Sequence, residues 1–273
     1  MKLKQKTVIF GFGAMGSALA KGWIQSKLIP ASRITVVEVD VQKGRDASRK
    51  LGIKASADPA AALKKAGLVI LAVKPQQMRE LLEESGSLFP KGALVVSIAA
   101  GVSTGQIEKR LPNGNPVVRV MPNTPALLGA GMAAVAPGAR AKSAHVKLGL
   151  ALFSAVGKAV QVREDQLDLV TALSGSGPAY FFHMIEVLTE AGAAGGLEYE
   201  TALQLAAQTA YGSARMVLET GKSPEALRVQ VTSPGGTTQA GLKVMDEKGF
   251  RETMIAAVAA ARDRGAELRK MND

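Results

Sequence analysis

Cysteine is absent from the 273 residues. That excludes disulfide frameworks, thiolate metal sites and thiol nucleophiles, and it fits a reducing, cytoplasmic setting. Histidine is almost absent as well, with His145 and His183 far apart in the chain. Without an HxxxH pair or clustered carboxylates, no metal site is expected, and neither histidine is assigned a catalytic role. Aromatic residues make up 4%, so the core must be built from aliphatic and small side chains that let backbones approach closely. No apolar stretch is long enough to cross a bilayer, and no membrane partner is expected. The net charge of +11 comes from lysines and arginines scattered in ones and twos, with no run of five or more and no interleaved aromatics. Such a distribution attracts small anions but lacks the patch that marks a nucleic-acid binder.

The hydrophobic fraction of 47% against 21% charged residues is that of an ordinary globular chain. Lys2, Lys4 and Lys6 precede an apolar run from Thr7 to Ala20 that superficially mimics an export signal. Gly11, Gly13 and Gly16 interrupt it and would weaken an export helix. Short, nearly continuous apolar segments at Thr7–Phe10, Arg33–Val39, Leu68–Val73, Ala93–Ile98, Pro116–Val120 and Met132–Ala136 read as strands buried on both faces. Helical stretches such as Ala14–Ser26, Val41–Leu51 and Ala60–Ala66 alternate with them, which predicts a parallel sheet covered by helices. Beyond Val162 the strand signals stop. Arg163–Leu173, Pro178–Gly195, Tyr199–Thr220, Pro224–Val231, Thr237–Lys248 and Phe250–Lys270 read as helices separated by glycine-rich breaks. The expected architecture is therefore α/β: a doubly wound parallel sheet over residues 1–162, then an all-helical domain over 163–273. Helices apolar on more than one face need more than one packing partner, so a homodimer through the helical half is expected.

Gly11-Phe12-Gly13-Ala14-Met15-Gly16 follows the first strand and opens the first helix. In that context the first glycine permits a tight turn, the second lets backbone approach a pyrophosphate, and the third allows close helix–strand contact. The helix N-terminus adds unpaired N–H groups and positive dipole. This is the arrangement of a Rossmann dinucleotide site; a glycine-rich structural turn, which the spacing alone also fits, is the alternative. Glu38, at the end of the second strand, is either a solvated strand-end residue or a carboxylate that accepts hydrogen bonds from the adenosine ribose and repels a 2′-phosphate, which would point to NADH rather than NADPH; Lys43 and Arg45 nearby pull the other way. Ala72-Val73-Lys74-Pro75 and Ile98-Ala99-Ala100 follow later strands, where open α/β sheets bind their ligands.

Three further segments occur in order: Arg119-Val120-Met121-Pro122-Asn123-Thr124-Pro125, Leu173-Ser174-Gly175-Ser176-Gly177-Pro178-Ala179-Tyr180, and Val231-Thr232-Ser233-Pro234-Gly235-Gly236-Thr237-Thr238. With the Gly11–Gly16 turn and the two loops, the chain resembles the pyrroline-5-carboxylate reductases over nearly its whole length. The resemblance implies a Rossmann-type N-domain and a helical C-domain that interlocks two subunits, with larger rings in some members. It implies reduction of the cyclic imine 1-pyrroline-5-carboxylate to L-proline by NADPH or NADH, the last step of proline biosynthesis. It also implies that Ser233, Gly236 and Thr237 hold the substrate carboxylate and that Thr238 lies close to the ring nitrogen. The Ser174–Pro178 turn, with Ser176, is expected to seat the substrate or the nicotinamide edge at the base of the long helix. Two departures bear on the cofactor. Many relatives carry Ser or Asn, often followed by a basic residue, where this chain has Glu38 and Val39, and an Asn where it has Pro59.

Independently of the resemblance, the Ser233–Thr238 segment reads as an anion nest: Pro234 and two glycines leave backbone N–H groups free just before a helix, although a plain capping loop has the same composition. Asn123 and Thr124 are expected to shape the cleft. A hydroxyacid dehydrogenase of similar two-domain plan is the nearest rival, but such enzymes resemble one another in carrying a lysine on the long helix of the second domain. No lysine occurs between Lys158 and Lys222, which favours an imine over an alcohol. A nucleic-acid binder on a Rossmann scaffold and a non-catalytic dinucleotide sensor are weaker rivals.

Overall fold

The structure, a computed structural model, describes residues 3–38 and 40–271. Val39, the end of one expected strand, lies outside them. Contacts group the chain into two compact units, Met1–Ser176 with Ala261–Asp273, and Gly177–Ala260.

The first unit is built on one sheet of β1 (Lys6–Phe10), β2 (Ile34–Val37), β3 (Lys54–Ser56), β4 (Ala66–Leu71), β5 (Leu94–Ser97), β6 (Val117–Met121), β7 (Gly131–Pro137) and β8 (Gly157–Gln161). The spatial order is β3-β2-β1-β4-β5-β6-β7-β8, and the first six strands are parallel. Alternate residues of β1 feed opposite faces. Ile9 joins Leu19, Trp23, Val36 and Phe153 on one side; Val8 and Phe10 join Val69, Leu71 and Phe89 on the other. Burial on both faces is why these strands read as unbroken apolar runs. The single tryptophan, fully buried, donates its indole N–H to the Leu152 carbonyl at 2.8 Å, meeting the need of a buried polar group for a partner.

The helices of this unit are α1 (Ala14–Gln25), α2 (Val41–Leu51), α3 (Pro59–Leu63), α4 (Met78–Ser85), α5 (Thr104–Lys109), α6 (Ser143–Ser154) and α7 (Leu167–Val170). Four details differ from the sequence expectation. The β7 strand runs antiparallel to β6, because residues 122–130 are too few for a parallel crossover. The edge strands β3 and β8 went unforeseen; they are short and partly exposed and carry little apolar signal. Helix α3 stops at Leu63 rather than Ala66, because Lys65 takes a left-handed φ of 62° and Ala66 already belongs to β4. Finally, Arg163–Leu173 is not one regular helix. A single 3₁₀ turn (Glu164–Gln166), α7 and a π-helical turn (Thr171–Gly175) succeed one another. The π turn, a form common at functional sites, brings Gly175 so close to Met121 that a Cβ there would collide with the methionine's Cε.

The sheet thus ends at Gln161, beside the expected boundary at 162, while the first compact unit continues to Ser176. Residues 163–176 are tied to it by the contacts of Glu164, Asp168 and Ser174 described below.

The second unit holds α8 (Gly177–Ala194), α9 (Tyr199–Thr220), α10 (Pro224–Gln230), α11 (Thr237–Glu247) and the first part of α12 (Phe250–Met271). Small residues let α8 and α9 pack tightly: a Cβ on Gly192 would lie 3.0 Å from that of Ala202. Large apolar side chains remain uncovered in the single chain, among them Phe181 (65% exposed), Phe182 (63%) and Leu218 (82%). Helical faces of this kind are normally covered by another subunit.

Candidate active site: a dinucleotide cradle and an uncapped helix terminus

Order 3-2-1-4-5-6 places the topological switch point between β1 and β4, where ligands of open α/β sheets bind. A ladder of backbone hydrogen bonds gathers the loops at that edge. The Gly11 N–H donates to the Val37 carbonyl at 3.0 Å, Ala72 N–H to Phe10 O at 2.8 Å, and Ile98 N–H to Leu71 O at 3.1 Å. The Gly11–Gly16 turn, the Ala72–Pro75 loop and the Ile98–Ala100 loop therefore follow neighbouring strands, as the sequence predicts. The buried Ser97 hydroxyl accepts from Ala99 N–H at 3.3 Å and shapes the last of these loops. Lys74, at the entrance to the Pro75–Gln77 turn, is exposed.

The three glycines have different reasons to be glycine. Gly11 has φ +85°, and a Cβ there would sit 2.8 Å from the Ala72 carbonyl oxygen; at Gly16 it would sit 2.6 Å from the Gly11 carbonyl oxygen. Gly13 has nothing within 4 Å in the direction a Cβ would take. Its backbone faces open space at the N-terminus of α1, which no side chain caps. This is a cradle that a methyl group would fill, set against unpaired helical N–H groups, and it fits a pyrophosphate. A groove of about 560 Å³ opens beside it, with Ser17, Lys21, Lys43 and Lys50 among its lining residues.

Glu38 reaches back to the turn. Its Oε2 accepts from Phe12 N–H at 3.0 Å and its Oε1 from Asp40 N–H at 3.2 Å. Asp40 caps α2 by accepting from the Gln42 and Lys43 N–H groups, bonds that hold its carboxyl below the ordinary aspartate range. Lys43 lies 3.7 Å from Asp40 and Arg49 2.9 Å from Asp46, so these two cations have carboxylate partners in or beside α2. A cavity of about 580 Å³ is lined by Glu38, Arg45, Ser48 and Ser56, among others.

Asn123 anchors the π turn. Its Nδ2 donates to the Ser174 carbonyl at 3.2 Å, and its Oδ1 accepts from Met132 N–H at 2.8 Å. The Ser176 N–H closes the turn on the Thr171 carbonyl at 2.7 Å. Beneath it lies an ionic cluster that sequence reasoning missed. Arg119, 3% exposed, pairs with Glu164 at 3.7 Å, and the Glu164 carboxylate also accepts from the N–H and hydroxyl of Thr104, both at 2.6 Å. Asp168 pairs with Arg269 at 3.1 Å. Burial pushes the Arg119 guanidinium below its ordinary value, opposed by the charges of Glu164 and Asp168. A charged residue between valines on a core strand was the available signal.

In the helical unit, the Ser233–Thr238 turn leads into α11, whose N-cap is Gly236. The sequence reading leaves the Gly235 and Gly236 N–H groups free; the structure engages both. Gly235 N–H donates to Gln239 Oε1 at 2.7 Å and Gly236 N–H to the Ser233 carbonyl at 3.0 Å. The first-turn donors left for an anion are the N–H groups of Thr237, Thr238 and Gln239, in a helix that no side chain caps. Gly236 serves tightness instead, since a Cβ there would collide with Ser233 Oγ. His145 accepts from Lys142 N–H at 3.0 Å at the start of α6, and His183 pairs with Glu186 on the surface; both have structural work.

Residues 164–268 match the family model for pyrroline-5-carboxylate reductase dimerisation, and residues 6–101 match that for NADP oxidoreductase, coenzyme F420-dependent. The pyrroline-5-carboxylate reductase of Methanosarcina acetivorans is 42% identical over 266 residues, 97% of this chain and 98% of that one. The chain belongs to the pyrroline-5-carboxylate reductase family. A solved pyrroline-5-carboxylate reductase from Coxiella burnetii superposes with a TM-score of 0.92 at 38% identity, covering 97% of this chain and 99% of its own. The Plasmodium falciparum pyrroline carboxylate reductase, solved with NADP bound, gives 0.87 at 28% identity, covering 98% and 100%. The oxidoreductase model spans the Gly11–Gly16 turn, and the dimerisation model spans the uncapped N-terminus of α11.

Proposed function

We propose that the chain reduces 1-pyrroline-5-carboxylate to L-proline with NAD(P)H. The observation that carries the reading is Gly13, whose open face completes a cradle closed elsewhere by Gly11 and Gly16, in a chain of this family. When bound, the reduced nicotinamide supplies a hydride to the imine carbon. The ring nitrogen is already protonated in the reactive form, so the carbon–nitrogen double bond becomes single and the nitrogen keeps its proton as an amine. The protein's task is mainly orientation. The Thr237 and Thr238 N–H groups at the positive end of α11 hold the substrate carboxylate, the Ser233 hydroxyl assists, and the Thr238 hydroxyl meets the ring N–H. Ser176, on the π turn, seats the ring.

Following NADH and NADPH oxidation by absorbance with the five-membered imine acid tests the activity. Thr238→Ala is expected to lower turnover by roughly tenfold, the net worth of about one well-placed hydrogen bond, while the KM for NAD(P)H stays within twofold. Parent-like turnover would remove Thr238 from its role.

The same reading assigns NADH as the preferred donor. Glu38 presents a carboxylate at the ribose end of β2 although both its oxygens already hold backbone N–H groups. A second anion at about 4 Å is repelled by roughly 1–4 kcal/mol at intermediate dielectric. Glu38→Ser is expected to raise the NADPH-to-NADH ratio of kcat/KM by roughly tenfold. An unchanged ratio would discard the assignment. The uncovered Phe181, Phe182 and Leu218 support a homodimer through the helical unit, which can in turn build a larger ring.

A further inference from the structure

We propose that Gln239 is a positioning residue of the substrate-carboxylate site, a role that rests on the reading of the Ser233–Thr238 turn given above. A capping box pairs the third helical residue with the N–H of the N-cap itself. At α11 the pattern is displaced by one residue. Gln239 is the third residue of the helix, and side chains there lean back toward the N-terminus. Its Oε1 takes the N–H of Gly235, one residue before the N-cap, at 2.7 Å. The N-cap N–H is satisfied by Ser233, and the N-cap is a glycine with no side chain to offer.

Gly235, at φ +72°, is the residue type with the largest entropy cost of ordering, and the Gln239 bond offsets that cost before substrate arrives. The first-turn donors of Thr237 and Thr238 are not covered by a side-chain acceptor. A Ser or Asp at the N-cap would cover them. Gln239 stiffens the turn from outside and leaves its anion-binding face clear. A Met of the same length keeps the volume and removes the acceptor; Gln239 is exposed, so the substitution leaves the fold intact.

The test compares Gln239→Met, Gln239→Glu and Thr238→Ala in the full-length protein. For Gln239→Met, the KM for the imine acid is expected to rise about 3–10-fold, the fold-change that one lost hydrogen bond produces. Its kcat and its KM for NADH should stay within twofold, and the Gly235 amide should exchange with solvent faster. Gln239→Glu keeps an acceptor oxygen and should restore the parent's exchange rate at Gly235. An unchanged imine KM in Gln239→Met, with Thr238→Ala impaired, would overturn the clamp and spare the substrate site. A parallel rise in the KM for NADH would overturn it too, as general damage. If Thr238→Ala is also indistinguishable from the parent, the underlying site reading falls, and the clamp with it.

Discussion

Gly13→Ala is expected to weaken NAD(P)H binding by roughly 5–150-fold while leaving the thermal midpoint within about 2–4 °C of the parent. The two outcomes separate because of where the added methyl group would go. Gly13 has φ −74° and ψ −165°, an extended conformation open to any L-residue, and its Cβ direction is empty to 4 Å. Nothing in the protein resists the methyl, and losing glycine at an N-cap costs only about 1 kcal/mol or less. A ligand seated on the cradle does resist it: crowding a close-packed contact costs about 1–3 kcal/mol. Gly16→Ala is the contrasting variant. There the methyl would lie 2.6 Å from the Gly11 carbonyl oxygen, so the turn itself must shift, and stability should fall together with cofactor affinity. Calorimetry of cofactor binding alongside thermal melts distinguishes the pair. Parent-like affinity in Gly13→Ala would mean that the open face is ordinary surface and that the cofactor does not lie on it.

Arg119→Met carries the second large effect, a destabilisation of about 3 kcal/mol and a fall in the melting midpoint of roughly 6–12 °C. The guanidinium is almost wholly buried. Its desolvation is only partly offset by Glu164 and Asp168, which also face Thr104 and Arg269. A methionine fills a similar volume and leaves Glu164 with hydrogen bonds but no counter-charge. Removing one partner of a buried pair costs more than removing both. Arg119→Met with Glu164→Gln should therefore be more stable than the sum of the two single losses predicts. Strict additivity of the melting free energies would show that the pair is not coupled. Because Glu164 opens the segment leading to the π turn, the single variant should also loosen the Ser174–Ser176 backbone, read as faster amide exchange at Ser176.

Much of the sheet unit was legible in the residues. Apolar runs buried on both faces announce β1, β2, β4, β5 and β6 within a residue or two, because burying both faces leaves no room for polar alternation. The Gly11–Gly16 spacing announces the tight turn that opens α1, and Tyr199–Thr220 agrees residue for residue with α9, since Gly195-Gly196 and Gly221 punctuate it. Edge strands such as β3 bury little, so Lys54–Ser56 carries no pattern to find. The direction of β7 depends on the length of a connection rather than on the strand's own composition.

The class of the fold, the tight glycine turn before α1 and the hydroxyl-rich turn before α11 all follow from the order of residues, because they depend on local conformational freedom and on hydrophobic period. Three other facts emerge only once the chain is folded. Gly13 alone of the three glycines faces open space, Arg119 meets Glu164 across 45 residues of chain, and Gln239 rather than a ligand holds the Gly235 N–H. Each concerns which group reaches which across space. Hydrogen bonds and buried charges are satisfied by whatever the fold brings near, and proximity of that kind leaves no periodic trace along the chain.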